Sequence, residues 1–143
     1  MRYEHTQRSY LLHWLVVPIL VLVLIAMLFD GAPLSLWLFM AAFAVGMAWI
    51  VATFSILTVI VEEDEIRVYF GRGWPRRAIP RRDITYVRPV RNKWWYGLGI
   101  RLIPGGTLWN VWGLDAVELR LESGKLFRVG SDDVEALVAA ASL

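Results

Sequence analysis

Three consecutive stretches decide the fold: LLHWLVVPILVLVLIAMLF at residues 11–29, DGAP at 30–33 and LSLWLFMAAFAVGMAWIVATFSILTVI at 34–60. Neither apolar run contains an Asp, Glu, Lys or Arg. At about 1.5 Å of rise per residue, roughly 20 helical residues cross the hydrocarbon core of a bilayer, so each run has the length of a transmembrane helix. A buried helix pair of a soluble protein would carry a polar stripe, and these runs have none. The connector has room only for a tight turn, and Pro33 suits the first turn of a helix, where its missing N–H costs no hydrogen bond. The expectation is a two-helix membrane hairpin over 11–56, with helices at 11–29 and 34–56. Arg2 and Arg8 precede the first run as in a signal peptide. The run is longer than a usual signal core, however, and ends in Leu28-Phe29-Asp30-Gly31 with no small-x-small cleavage site, so it is expected to stay.

Orientation follows from charge. Arg2 and Arg8 flank one outer end of the hairpin, Arg67, Arg72, Arg76 and Arg77 follow the other, and the connector holds only Asp30. The positive-inside rule then puts residues 1–10 and everything after the second helix in the cytoplasm. Within the second helix Ala41, Ala44, Ala48 and Ala52 recur at three- and four-residue spacing, a narrow face on which the first helix is expected to pack. Pro18 is a candidate kink, and His13 reads as an interfacial side chain.

From residue 57 the period changes to two. Ile66, Val68 and Phe70 alternate with Arg67 and Tyr69, and Val117, Leu119 and Leu121 alternate with Glu118, Arg120 and Glu122, the pattern of strands with one buried face. Ser123-Gly124 reads as a hairpin turn, and turn residues elsewhere divide the segment into about seven short antiparallel strands, as in a small barrel or sandwich. After Gly130, Asp132 and Glu135 form a candidate capping box for one closing helix whose apolar face is Val134, Leu137, Val138 and Ala141. The division expected is a lead-in at 1–10, the hairpin at 11–56 and one α+β domain at 57–143.

The run Trp95-Tyr96-Gly97-Leu98-Gly99-Ile100-Arg101, the later Trp109-Asn110-Val111-Trp112-Gly113-Leu114-Asp115 and the closing Val129-Gly130-Ser131-Asp132 resemble bacterial membrane-anchored pleckstrin-homology-like (PH-like) proteins. That resemblance implies a seven-stranded barrel closed by one C-terminal helix, an inner-membrane location, and a binding or scaffolding role with no catalytic residues to transfer. One departure is visible. Phosphoinositide-binding PH domains carry basic residues in the turn between their first two strands, whereas the turn expected there is Glu62-Glu63-Asp64-Glu65, which argues against an inositol phosphate pocket.

Charge is uneven: Arg67, Arg72, Arg76, Arg77, Arg81, Arg82, Arg88, Arg91, Lys93 and Arg101 share residues 66–101 with Asp83 alone. Trp74, Trp94 and Trp95 lie among them, and amphipathic rings beside arginines suit the headgroup region of an anionic bilayer. The candidate lipid- or partner-binding set is therefore Arg72, Trp74, Arg76, Arg77, Arg81, Arg82, Arg91, Lys93, Trp94 and Trp95. The competing reading puts the tryptophans in the core, which suits Trp109 and Trp112 better. No catalytic, cofactor or metal site is expected: cysteine is absent, His5 and His13 both fall in the first 13 residues, and no phosphate-cradling Gly-rich loop follows a strand. The partners expected are anionic lipid headgroups or an integral membrane protein, and not nucleic acid, since no RNA-binding aromatic motif is present.

Overall fold

A computed structural model of the chain describes residues 2–142. Strand β1 (Tyr3–Arg8) leads into α1 (Leu11–Phe29), α2 (Leu34–Phe54) and strand β2 (Ile56–Val61). β1 and β2 pair antiparallel from Tyr3↔Val61 to Arg8↔Ile56, so the helical hairpin is an insertion between two adjacent strands. The lead-in is thus the first strand of the domain. Its inward positions are Tyr3, His5 and Gln7, of which only Tyr3 packs against the apolar core, and hydrophobic alternation does not reveal the strand. The second helix ends at Phe54 although the apolar run continues, because the residues after Ser55 pair with β1 and the Ser9 N–H donates to the Ser55 carbonyl at 2.8 Å.

Both helices expose large apolar side chains along their length, among them Leu22, Leu28, Phe39 and Val45, and each is long and apolar enough to be a membrane span. Before its foot, the covered positions of α2 are Trp37, Met40, Ala44, Met47 and Val51, at three-four spacing, and those of α1 beyond its first turn are Val16, Leu20, Val23 and Met27, a matching seam. Only Ala44 of the expected alanine face lies in this seam, whereas Ala41, Ala48 and Ala52 are exposed.

Beyond β2 come β3 (Glu65–Phe70) and β4 (Arg76–Pro80), giving a four-stranded sheet in the order β1-β2-β3-β4. A short turn at Arg81–Asp83 carries the chain to the second sheet, made of β5 (Ile84–Arg91), β6 (Gly99–Ile103), β7 (Gly106–Asn110), β8 (Asp115–Leu121) and β9 (Leu126–Gly130). Its order is β5-β8-β9-β7-β6, with β7 and β9 parallel. The expected barrel is corrected here. There are two separate sheets of four and five strands, and β4 does not pair with β5.

The core lies between the sheets. Leu57, Val59, Ile66, Val68 and Phe70 come from the first, and Trp109, Val117, Leu119, Phe127 and Val129 from the second; Leu137 and Ala141 of α3 (Val134–Ser142) close it. A column of rings runs from the foot of α2 into this core: Phe54 to Phe70 at 5.0 Å, Phe70 to Trp109 at 5.2 Å and Trp109 to Phe127 at 5.8 Å. The cap of α3 differs from the expected box. Ser131 Oγ accepts the Asp133 N–H, while the Asp132 carboxylate contacts His5 of β1 instead.

Glu118, expected on the solvent face, is fully buried. Its carboxylate accepts hydrogen bonds from Arg88 Nε at 2.8 Å and Arg128 Nε at 2.6 Å. Burial alone would raise its pKa, but the hydrogen bonds and charges of Arg128 and Arg88 outweigh burial and hold the carboxyl below the usual glutamate range.

Candidate functional site

The turn between β3 and β4 folds back against the foot of α2. Gly71 makes this approach possible. Its φ is +55°, and a Cβ there would sit 3.1 Å from the Thr53 Cα, so a side chain would be strained and crowded at once. Its N–H donates to the Ile56 carbonyl at 2.9 Å, which fixes the turn to the first residue of β2.

Between this turn and the base of the hairpin lies a cleft of about 940 Å³. Arg8, Arg72 and Arg76 line it together with Tyr10, His13, Trp49 and Trp74, and no carboxylate is among its lining residues. Trp74 rises from the turn to stand against Trp49, which is five residues before the end of α2. Tyr10, Trp14 and Trp112 line an adjoining crevice with Arg8, Ser9 and Leu11. Aromatic residues thus gather at the foot of the hairpin, the residue type enriched in the belts that mark a membrane–water boundary.

The three arginines share an unusual state. Among the described residues, the guanidinium groups of Arg8, Arg72 and Arg76 have no ion pair, side-chain hydrogen bond or ring contact. Nearly every other cation has one. Arg67 pairs with Glu62 and Glu65, Arg82 with Asp83, Arg91 with Asp115, and Arg88 and Arg128 with Glu118. The sequence places cations at many sites, and the fold leaves three of them unneutralised around one opening.

The ten candidate residues divide accordingly. Arg72, Trp74 and Arg76 line the cleft. Arg77, one residue on and therefore on the opposite face of β4, points between the sheets: it donates to Thr107 Oγ1 at 3.2 Å and lies 4.6 Å from the Phe127 ring centre. Burial lowers its pKa. Arg81 stands at the other end of β4, where it donates to the carbonyls of Glu62 and Ala141 and ties α3 to the acidic turn. Arg82 is beside it, so these two do not join Arg76 in one surface. The acidic turn itself joins β2 to β3, at the end of the sheet away from the helices, and does not bear on the cleft.

Lys93, Trp94 and Trp95 form a separate exposed cluster in the β5–β6 connection, with the Lys93 ammonium 5.0 Å from the Trp95 ring centre and the two indoles edge to face. Arg91 precedes it at the end of β5. Trp109 is buried, as its reading favoured, but Trp112 is half exposed beside the hairpin. Reading the sequence missed Arg8, Tyr10 and Trp49. The one signal for Arg8 and Tyr10 was their position directly before the first apolar run, where interfacial residues belong.

Among the described residues no group of three or more His, Cys, Asp or Glu side chains is placed to hold a metal ion. No protein-family model and no curated protein matches this chain.

Proposed function

We propose that this is a non-enzymatic module of the bacterial inner membrane, anchored by its hairpin, whose β domain docks to anionic lipid headgroups at the cytoplasmic leaflet. The observation that carries the reading is the set of three unpaired guanidinium groups, Arg8, Arg72 and Arg76, around an aromatic-walled cleft at the foot of two bilayer-length helices. Unpaired arginines beside tryptophans are matched by lipid phosphates, each well-placed cation contributing on the order of 1 kcal/mol near an anionic surface.

Two further points support it. Because β1 and β2 are paired, both outer ends of the hairpin belong on one side of the bilayer, and the basic residues of that side make it the cytoplasmic one. The PH-like reading also gains from the topology. With β6 and β7 set aside, the remaining seven strands pair only antiparallel and are followed by one helix, the order that the family implies.

Trypsin protection tests the proposal on the full chain in nanodiscs. Cleavage after Arg72 and Arg76 should slow in discs containing phosphatidylglycerol relative to neutral discs, recover at high salt, and leave cleavage at the distant Lys125 unchanged. Equal rates at Arg72 in both discs would leave the scaffold reading in its place. One observation favours that second reading: Leu102, on the outer edge strand β6, is 88% exposed, the kind of apolar edge that a partner protein covers.

A further inference from the structure

The β5–β6 connection, residues 92–98, lies far from the cleft in sequence but at the same end of the domain. The Asn92 N–H donates to the Leu114 carbonyl at 2.7 Å, and Gly99 pairs with Asn110, so the connection begins and ends beside the 110–114 turn. Asn110 holds that turn by accepting the Trp112 N–H and donating to the Gly113 carbonyl. Gln7 then donates to the Trp112 carbonyl, and Trp112 itself shares a crevice with Tyr10, Leu11 and Trp14 at the foot of α1. A chain of direct contacts thus joins the connection to the point where the hairpin enters the domain.

At its tip two indoles are left uncovered: Trp94 is 78% exposed and Trp95 60% exposed. Each could bury on the order of 150–250 Å², yet they contact chiefly each other, Tyr96 and Lys93. Among the described residues, two cations of this segment have no ion pair: Lys93, over the Trp95 ring, and Arg101, whose Nε donates to the Leu98 carbonyl at 2.8 Å; Arg88 and Arg91 are taken up by Glu118 and Asp115. An apolar tip with Lys93 and Arg101 beside it suits the interface of an anionic bilayer, with the rings at headgroup depth and the ammonium toward phosphate.

We infer that Trp94 and Trp95 insert into the interface of the same bilayer that the hairpin crosses, giving the domain a second footing that fixes its tilt. The occupant is the leaflet beside the hairpin, because the tip is continuous with the helix foot through Asn92, Leu114 and Trp112. This rests on the hairpin spanning the bilayer, and it is independent of headgroup capture in the cleft.

The absence of cysteine allows single-site labelling of the full chain. Trp94→Cys carrying a nitroxide, in nanodiscs containing phosphatidylglycerol, should show a ratio of oxygen to aqueous nickel-chelate collision rates severalfold above that of a Ser123→Cys control in the β8–β9 turn. A label at Leu22 in α1 sets the value for the hydrocarbon core. If the label at 94 is as accessible to the nickel chelate as that at 123, the second footing is overturned, and retained trypsin protection at Arg72 would show that cleft docking survives it. Dipolar broadening between labels at 94 would equally overturn it, in favour of contact with a second copy of the chain. An aqueous signal at Leu22 would remove the spanning hairpin and this inference with it.

Discussion

The indole of Trp74 in the β3–β4 turn stands against the indole of Trp49 on α2, with ring centres 6.1 Å apart. The pair couples the part of the domain that carries Arg72 and Arg76 to the helix beside which lipid headgroups would lie. Both rings are more than half exposed, so the coupling is expected at the lower end for aromatic pairs, about 0.5–1 kcal/mol. A double-mutant cycle of Trp49→Ala and Trp74→Ala, read by thermal unfolding in detergent, should return that value. Strictly additive effects would mean that the two rings are neighbours without coupling.

Glu118 is expected to set the acid limit of the domain. Its pKa is lower in the folded than in the unfolded chain, so its contribution to stability is complete above the ordinary glutamate value of about 4.3 and is lost as pH falls through the lower folded value. Glu118→Gln removes the charge and leaves Arg128 in a mostly buried site, at a cost of about 2 kcal/mol or more. The variant should also lose this group's share of the acid dependence in unfolding curves taken below the ordinary glutamate range. Glu122→Gln, in the exposed turn, should stay within about 0.5 kcal/mol of the parent.

The parallel pairing of β7 with β9 depends on Gly106. A Cβ at this position would sit 1.7 Å from the Leu126 carbonyl oxygen, a backbone atom that cannot rotate away. Gly106→Ala should therefore destabilise the domain by more than about 2 kcal/mol and disrupt the β6–β7 hairpin first, visible as faster hydrogen exchange at Leu108 and Trp109. Gly46→Ala, on α2 with open space around it, should do little.

Helix packing supplies another test. Ala44 lies in the seam between α1 and α2 and Ala48 faces outward. Ala44→Ile should overpack the seam and lower the melting temperature in detergent, at a cost of about 1–3 kcal/mol, while Ala48→Ile should leave it nearly unchanged. The opposite ranking would restore the alanine face as the contact.

How far these features were legible depended on whether hydrophobic pattern recorded them. The two helices and their turn were plain, because 19 and 21 apolar residues without a charge leave little choice. Strands β3 and β8 and the turn at Ser123-Gly124 were equally plain from alternation. Strand β1 was not, since Gln7 faces inward and its Nε2 donates to a carbonyl 105 residues away, a tertiary contact without a local pattern. The same blindness hid Glu118, whose burial depends on arginines from two neighbouring strands, and the boundary at Ser55, which the apolar texture crosses unbroken. For the candidate site, sequence proximity grouped Arg72 to Arg82, but the alternation of β4 turns Arg77 inward and the length of the strand carries Arg81 to the far end. Arg8 joins Arg72 and Arg76 only because the hairpin is inserted between paired strands.

In the proposed docking, Arg8, Arg72 and Arg76 hold the β3–β4 turn against anionic headgroups, and hydrogen exchange in that turn reports the contact. With the full chain in nanodiscs at low salt, amides at Arg72, Gly73, Trp74 and Arg76 should exchange more slowly when phosphatidylglycerol is present than in neutral lipid. The difference should vanish at high salt and in the Arg8→Gln, Arg72→Gln, Arg76→Gln triple variant. Exchange at these amides that is the same in neutral and anionic discs, with the variant indistinguishable from the parent, would mean that the three arginines do not engage headgroups.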